Sequence, residues 1–501
     1  MMRKVFCATL GCDKNLVDSE ALLGRFAIKG VEAVNDPELA DIWVLNSCGF
    51  IDAARSDSEA TLQELCEAKE GRTLVVCGCW SQEHGASIRA RFPAVDVVAG
   101  VGQFEQVVNA CLGRQVTPEA APANPFAIAA PAAAKRPTVT ELIDDPMAVH
   151  YAGMLDRPLL TPPHVAFVKI AEGCNCACTF CRIPLIRGKQ RSRPRSELEQ
   201  EVRGLVARGV GEIQLVSQNT SDFGRDTGEK LFDLVRDLST IDGLDAIRLL
   251  YLYSGMVSVD DLKRLLDLPK VVPYLDLPIQ HASPRILKAM KRPGGDKSSP
   301  AFFHALRRHR PELVLRSTAL LGFPGEEDED VSLLADFLAE VEFDHLGAHH
   351  YSPEKGTPSA LMPDRVPNEV VLDRSALIMD IQSDISLKRQ SARLGQTFEV
   401  VVDAVVQPGP DDPHGLGEVL ESLNEGKWCE EREREAVAGV LQSGVSFAVG
   451  RSYHFGYDLD GVVVLPLGRA GQAERLCPGR RVAAEFRAVT AYDVWATPVT
   501  D

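Results

Sequence analysis

Cys174, Cys178 and Cys181 stand in the run Gly173-Cys174-Asn175-Cys176-Ala177-Cys178-Thr179-Phe180-Cys181, a C-x-x-x-C-x-x-C spacing with one further Cys inside it. The run follows the apolar stretch Val165-Ala166-Phe167-Val168-Lys169-Ile170, so the thiols fall on a loop at a strand's carboxyl end. Three thiolates this close, with no fourth Cys at ferredoxin spacing, suit three irons of a four-iron cluster and leave the fourth iron open to a ligand. A structural zinc site is the competing reading. It needs four closed ligands, and no neighbouring Cys or His pair completes them.

Cys12, Cys48 and Cys79 form a second set, each just after an apolar, β-branched run: the first, second and third of the chain. In a doubly wound parallel sheet those three turns converge on one crevice, which brings together thiols far apart in sequence. Their neighbours are small or turn-forming, as in Leu10-Gly11-Cys12, Asn46-Ser47-Cys48-Gly49 and Gly78-Cys79, and glycine lets a backbone approach a bulky inorganic group. Inert buried thiols are the alternative, and Cys7, Cys66, Cys77, Cys111, Cys429 and Cys477 are read that way because they lack this placement. Cys77 and Cys176, each two residues from a chosen ligand, stay open.

The elements that must position these thiols follow from periodicity. Strands are expected at 5–9, 42–45, 73–76 and 95–98, with helices at 15–28, 55–69 and 82–91, the alternation of a doubly wound parallel sheet over residues 1–113. Residues 116–137 hold five Pro and nine Ala among 22 positions, so 114–162 reads as a linker. A second βα series fills 163–393, with strands at 165–170, 212–216, 246–252, 271–279, 313–321 and 345–351. Helices are expected at 196–208, 230–238, 283–290, 328–341 and 370–393. Six such units curve into a partial barrel with its chemistry on the loops after the strands. Residues 394–501, rich in Val and Gly, read as a small β-barrel, interrupted at 407–447 by nine acidic and three basic side chains. The fold class is therefore α/β with a terminal β-barrel.

Bulk composition bounds the rest. A chain of 501 residues with 45% hydrophobic and 25% charged side chains has ample core for two to four domains. No apolar run approaches a membrane span, and the start lacks a signal-peptide pattern, so a cytoplasmic protein with its 13 Cys reduced is expected. A net charge of −17 argues against a surface built wholly for nucleic acid. One stretch departs from that balance: Arg182, Arg187, Lys189, Arg191, Arg193 and Arg195 follow one another with no acid between them. RNA, the carboxylates of cofactor or substrate, and plain solvent are all open as its counterpart. His349-His350 reads as a pair at the end of a strand.

At this point the chain resembles a known family over almost its whole length. Leu10-Gly11-Cys12-Asp13-Lys14-Asn15-Leu16-Val17-Asp18-Ser19-Glu20, Asn46-Ser47-Cys48-Gly49-Phe50-Ile51 and Gly78-Cys79 are similar to the N-terminal domain of the methylthiotransferases. The spacing around Phe180 and the run Gly322-Phe323-Pro324-Gly325-Glu326 resemble their radical S-adenosylmethionine domain. Gly450-Arg451-Ser452-Tyr453, Asp460-Gly461 and Tyr492-Asp493-Val494-Trp495 are similar to a TRAM barrel. The Ala/Pro linker, the acidic insertion and Cys176 depart from the pattern. Gln280-His281-Ala282-Ser283 resembles the branch that modifies a ribosomal protein; the transfer-RNA branch usually reads Gln-Ser-Gly-Ser there.

The resemblance implies two 4Fe-4S clusters, one on Cys174, Cys178 and Cys181 and an auxiliary one on Cys12, Cys48 and Cys79, with S-adenosylmethionine on the open iron of the first. Phe180 is then expected beside the adenine, Gln218, Gln280 and Arg316 near ribose or carboxylate, and Gly322 where the cofactor passes close. The implied reaction places a methylthio group on the β-carbon of an aspartate of small-subunit ribosomal protein S-twelve. A flavodoxin or ferredoxin would serve as electron donor, no membrane partner is implied, and RNA contact stays open. The alternatives are a transfer-RNA adenosine methylthiotransferase and, in another class, an iron–sulfur electron carrier or redox-sensing RNA-binding protein. The acidic insertion has little apolar surface with which to offset the entropy of ordering, and so is expected to lie outside the chemistry. Deleting residues 410–440 should leave iron content and cofactor cleavage unchanged; loss of either would place the segment at the active site.

Overall fold

The structure, a computed structural model, describes residues 2–113, 140–148, 154–292, 294, 297–406, 419, 446–467 and 476–499. The acidic insertion therefore lies outside the described residues, apart from Val419 and Ser446-Phe447 at its end, as does 114–139 of the expected linker. The chain forms two compact units. One comprises 1–160, 171–175 and 181–193; the other comprises 161–170, 176–180 and 194–501.

The first unit is built on six parallel strands: β1 (Lys4–Thr9), β2 (Glu32–Ala33), β3 (Ile42–Ser47), β4 (Thr73–Gly78), β5 (Val97–Ala99) and β6 (Thr140–Leu142), in the order β2-β1-β3-β4-β5-β6. Four helices cross between them, α1 (Asp13–Ile28), α2 (Asp52–Glu67), α3 (Cys79–Arg91) and α4 (Phe104–Cys111). Successive residues of a strand face opposite sides, and both sides here are apolar. Ile42 and Val44 join Leu22, Phe26 and Val108 of α1 and α4, while Trp43 and Leu45 join Leu62 and Ile88 of α2 and α3. The sheet is thus doubly wound.

One expectation is corrected here. The linker does not run to 162: Thr140–Leu142 adds an edge strand beside β5, and residues 154–160 pack on α1. Buried Glu20 explains this, since it pairs with buried Arg157 and accepts the Leu160 N–H at 2.7 Å. Gly24 leaves room, because a Cβ there would lie 3.1 Å from the Arg157 Cα.

The second unit opens with β7 (Val165–Lys169), after which a short antiparallel pair, β8 (Ala171–Glu172) with β9 (Arg191–Ser192), belongs to the first unit. The second unit continues with β10 (Glu212–Val216), β11 (Ala246–Leu249), β12 (Val271–Asp276), β13 (Val314–Leu321) and β14 (His345–His350). These pair in parallel in the order β14-β13-β12-β11-β10-β7. Helices Val259–Leu266 and Pro300–His309 join those that periodicity indicates. Five strands, β15 (Thr397–Val406), β16 (Phe447–Arg451), β17 (Val463–Pro466), β18 (Arg481–Val489) and β19 (Val494–Pro498), then close a barrel.

Buried ion pairs fasten that barrel to the amino-terminal edge of the parallel strands. Glu212, first in β10, binds Arg248 at 3.1 Å and Arg451 of the barrel at 3.2 Å. Arg451 also pairs with Asp403 at 2.7 Å, and Asp403 meets His164, the residue before β7, at 2.8 Å. Desolvation raises the Glu212 pKa, but Arg451 and Arg248 outweigh it and hold the carboxyl at about 2 against an ordinary 4.5. A depressed carboxylate contributes stability that is present above its unfolded pKa and lost as pH falls through the folded one. The loss should therefore begin near 4.5 and approach completion near 2, amounting to about 3 kcal/mol. Melting curves recorded from pH 6 to 3 should fall more steeply for the wild type than for Glu212→Gln; parallel curves would refute this.

Candidate metal centre

In the first unit, Cys12 caps α1 just after β1, Cys48 follows β3, and Cys79 opens α3 directly after β4. Because β1, β3 and β4 are neighbours, the three thiols meet at one sheet edge. Cys48 and Cys79 each lie in the electrostatic reach of Cys12, and Cys79 in that of Cys48. Two of the three thiols stand at helix N-termini, where unpaired N–H groups favour an anionic ligand. Gly11 (φ +96°) and Gly78 (φ +99°) make the close turns; a Cβ on Gly11 would sit 2.8 Å from the Cys48 Sγ. Cys12 is exposed, Cys48 intermediate and Cys79 buried, so the set opens to solvent on one side.

Asn15 latches these turns. Its Nδ2 donates to the carbonyls of Leu10 (2.9 Å) and Ser47 (3.2 Å), while Asn46 Nδ2 donates to the Asn15 carbonyl at 2.8 Å and to Ser19 Oγ at 2.9 Å. Arg187, also in this unit, directs Nε and Nη2 at the Cys79 Sγ, each at 3.2 Å. Its Nη1 pairs with Asp18 (2.9 Å) and Glu172 (3.0 Å). Burial pushes the Cys79 thiol up to about 12, with Arg187 pulling the other way. Metal coordination is what removes such a proton. Three convergent thiols with close backbone turns and a cationic donor fit an anionic cluster. Among the described residues, no three Cys, His, Asp or Glu side chains stand close enough to share a single ion.

Of the other set, Cys174 lies in the first unit, its N–H donating to the Gly188 carbonyl at 3.1 Å; Cys181 lies there too, partly buried. Cys178, in the second unit, places its Sγ 3.2 Å from the Tyr253 hydroxyl, and Arg292 lies over that ring at 3.4 Å. Cys176 is engaged differently: its Sγ lies 3.8 Å from the Met256 sulfur, and Asn219 Nδ2 donates to both sulfurs. Thr179 anchors this stretch through its N–H to the Met290 carbonyl (2.9 Å) and its hydroxyl to that of Ala289 (3.0 Å).

The sequence pattern of the uncharacterized protein family UPF0004 matches residues 4–100, and that of the radical SAM superfamily matches 168–338. The "Ribosomal protein uS12 methylthiotransferase RimO" of Symbiobacterium thermophilum is 35% identical, over 98% of this chain and 90% of its own. The protein of the same name from Pseudomonas entomophila is 36% identical, over 99% and 98%. The chain belongs to the RimO family of radical SAM methylthiotransferases. Among solved structures, the radical S-adenosylmethionine methyltransferase TsrM from Kitasatospora setae aligns at 14% identity with a TM-score of 0.49, over 82% of this chain and 78% of that one.

Within this RimO-family chain the remaining expected residues separate. Phe180 packs against Ile286, Met290, Leu320 and Phe323. Gln218 lies two residues beyond β10, and Gln280 (φ +69°) bridges β13 through Thr318 and Leu320. Positive φ at Gln280 and at Tyr251 (φ +57°) is backbone strain held at strand carboxyl ends, where functional sites concentrate it. Arg316 is a correction: it is third in β13, near the amino edge, and pairs with Asp276 (3.1 Å) and Asp460 of the barrel (3.2 Å). Its guanidinium is committed to holding the barrel. Gly322 is also explained by packing, since a Cβ there would strike Val371.

The basic run resolves as well. Arg182, Arg187 and Arg193 are buried and Arg182 pairs with Glu83, so the run is neither a solvated loop nor a continuous RNA-facing strip. Asn15, Asp18 and Arg187 are functional candidates that reasoning on thiols alone passes over, although the Asn15–Asp18 spacing within one helical turn was available to signal them. Gly11→Ala adds a strained φ and a contact with Cys48, and is expected to cost about 2 kcal/mol. It should also lower the iron taken up in anaerobic reconstitution, checked by urea unfolding and the iron-to-protein ratio. Wild-type values for both would refute the close approach of these turns.

Proposed function

We propose that this chain transfers a methylthio group to the β-carbon of an aspartate in small-subunit ribosomal protein uS12. The observation that carries the reading is the meeting of Cys12, Cys48 and Cys79 at one sheet edge, in a chain that also holds the radical cysteine loop. A radical enzyme with a single cluster has no need of the first set; sulfur transfer gives it a use. Cys174, Cys178 and Cys181 would hold one 4Fe-4S cluster and Cys12, Cys48 and Cys79 another. Bound there, the first supplies the electron that cleaves S-adenosylmethionine and the second a site for the transferred sulfur.

The chain's own residues then have separate tasks. Asn15 and the flanking glycines hold the three turns of the auxiliary site at close range. Tyr253 orients Cys178, and Phe180 walls the cofactor side. Gln218 and Gln280 stand near strand carboxyl ends, where the cofactor's polar groups would come. The names of the relatives favour uS12 as substrate, as does the Gln280-His281-Ala282-Ser283 run. Charge adds little: residues 391–501 carry 17 acidic and 10 basic side chains, and the insertion supplies most of the difference. A small reduced flavoprotein or ferredoxin would donate the electrons.

Two triple variants and two substrates test this. Changing Cys174, Cys178 and Cys181 to Ala should remove about half the iron and abolish deoxyadenosine formation. Changing Cys12, Cys48 and Cys79 should remove the other half and leave deoxyadenosine formation intact. Mass spectrometry of reactions containing uS12 or transfer RNA should find the methylthio group on the ribosomal protein alone. Methylthio-adenosine in transfer RNA with unmodified uS12 would sink the substrate assignment.

A further inference from the structure

We propose that Arg187 is a positioning residue that sets the reduction potential of the auxiliary cluster through two hydrogen bonds to the Cys79 sulfur. The inference rests on the assignment of Cys12, Cys48 and Cys79 as cluster ligands. Arg187 is 1% exposed, and no part of its guanidinium is at liberty to turn away. Nε and Nη2, one edge of the planar fork, both reach the Cys79 Sγ at 3.2 Å. Nη2 also donates to Asn15 Oδ1 at 2.5 Å. Nη1, at the other end, donates to Asp18 at 2.9 Å and to Glu172 at 3.1 and 3.0 Å. The two carboxylates therefore act as an anchor that turns the remaining edge of the fork onto the sulfur.

This geometry asks for arginine. A lysine ammonium has the charge but no rigid fork, and cannot hold two carboxylates on one side while presenting two parallel N–H groups on the other. Arginine also keeps its proton under all working conditions, so the donors persist in both oxidation states of the cluster. Hydrogen bonds to a ligand sulfur stabilise the more negative, reduced state and raise the potential. Two of the three anchoring groups come from one stretch: Asn15 and Asp18 lie one helical turn apart on α1, whose cap is Cys12. One helix thus carries a thiol of the set and aims the donor at another. The remaining anchor, Glu172, stands in β8, the strand paired with the β9 that follows Arg187.

The test uses the full chain with Cys174, Cys178 and Cys181 changed to Ala, so that the auxiliary cluster alone is observed, grown with nitrogen-15 arginine. After one-electron reduction by dithionite, pulsed electron paramagnetic resonance should detect an arginine nitrogen coupled to the cluster. The coupling should vanish in both Arg187→Lys and Arg187→Met. Midpoint potentials should move negative, further for Met than for Lys, with iron per chain unchanged in the Lys variant. A cluster without arginine coupling, or equal potentials in the parent and the Lys variant, overturns the proposal. If the Met variant takes up no iron, the label in the parent and the Lys variant decide in the same way. A parent protein that binds no iron overturns the ligand assignment itself, and the proposal with it.

Discussion

A parallel strand can be followed by another parallel strand only through a crossover, so every loop that leaves a strand's carboxyl end lies on the same edge of its sheet. Both six-stranded sheets are wholly parallel, and that constraint fixes where chemistry can gather. In the first unit it brings the turns after β1, β3 and β4 together with a thiol on each. In the second it collects Cys178, Asn219, Tyr253 and Gln280 on loops after β7, β10, β11 and β12. The amino edge of the second sheet remains for structural use. There Glu212, Arg316 and His345 bind the five-stranded barrel. The barrel is thus seated without occupying the loops of the reactive edge.

Charge burial is the means by which distant segments are locked in register. Taking an ion out of water costs several kcal/mol, so such a pair adds little net stability, while losing one partner leaves the other uncompensated. Glu20 with Arg157 fixes the return of the chain to α1, and Asp18 with Glu172 fixes Arg187. Asp344, held well below the ordinary carboxylate range by Arg389, Arg393 and Arg307 despite full burial, secures helix Asn368–Ser391 to the start of β14. Glu172 and Arg187 apart, which are 15 residues from one another, the partners are far apart in sequence. Their use is geometric: a mis-registered helix or strand would strand a charge in the core.

The same fact marks what the sequence could and could not disclose. β3 and β4 are continuous apolar runs buried on both faces, and α1 and the helix at 328–341 show clear periodicity, so these elements were legible within two or three residues. The placement of Cys12, Cys48 and Cys79 after strands that neighbour one another in the sheet was legible too. β2 and β6, with two and three residues, carry no period to detect, and β6 is recruited by pairing with β5. Helix Val259–Leu266 is short, and its Ser258 cap is the main local sign of it. Arg316 and the basic run misled for one reason. A charged side chain reads as available until its partner is known, and the partners here, Asp460 for Arg316 and Asp18 for Arg187, lie 144 and 169 residues away.

The Gln280-His281-Ala282-Ser283 run is held together from inside the fold. His281 is 1% exposed, and its Nδ1 accepts the N–H groups of Ala282 and Ser283, both at 3.0 Å. Its other nitrogen therefore carries the proton and faces Glu326 at 3.6 Å. Ser283 caps the helix Pro284–Ala289 and donates to Asp330 at 2.6 Å, while Glu326 accepts the Gly322 N–H at 3.0 Å. His281 and Ser283 thus stitch the turn after β12 to the Gly322–Glu326 turn after β13, with Gln280 held at positive φ between them. Replacing His281 by Ser and Ala282 by Gly would remove the buried acceptor and relax the turn that holds Gln280 at positive φ.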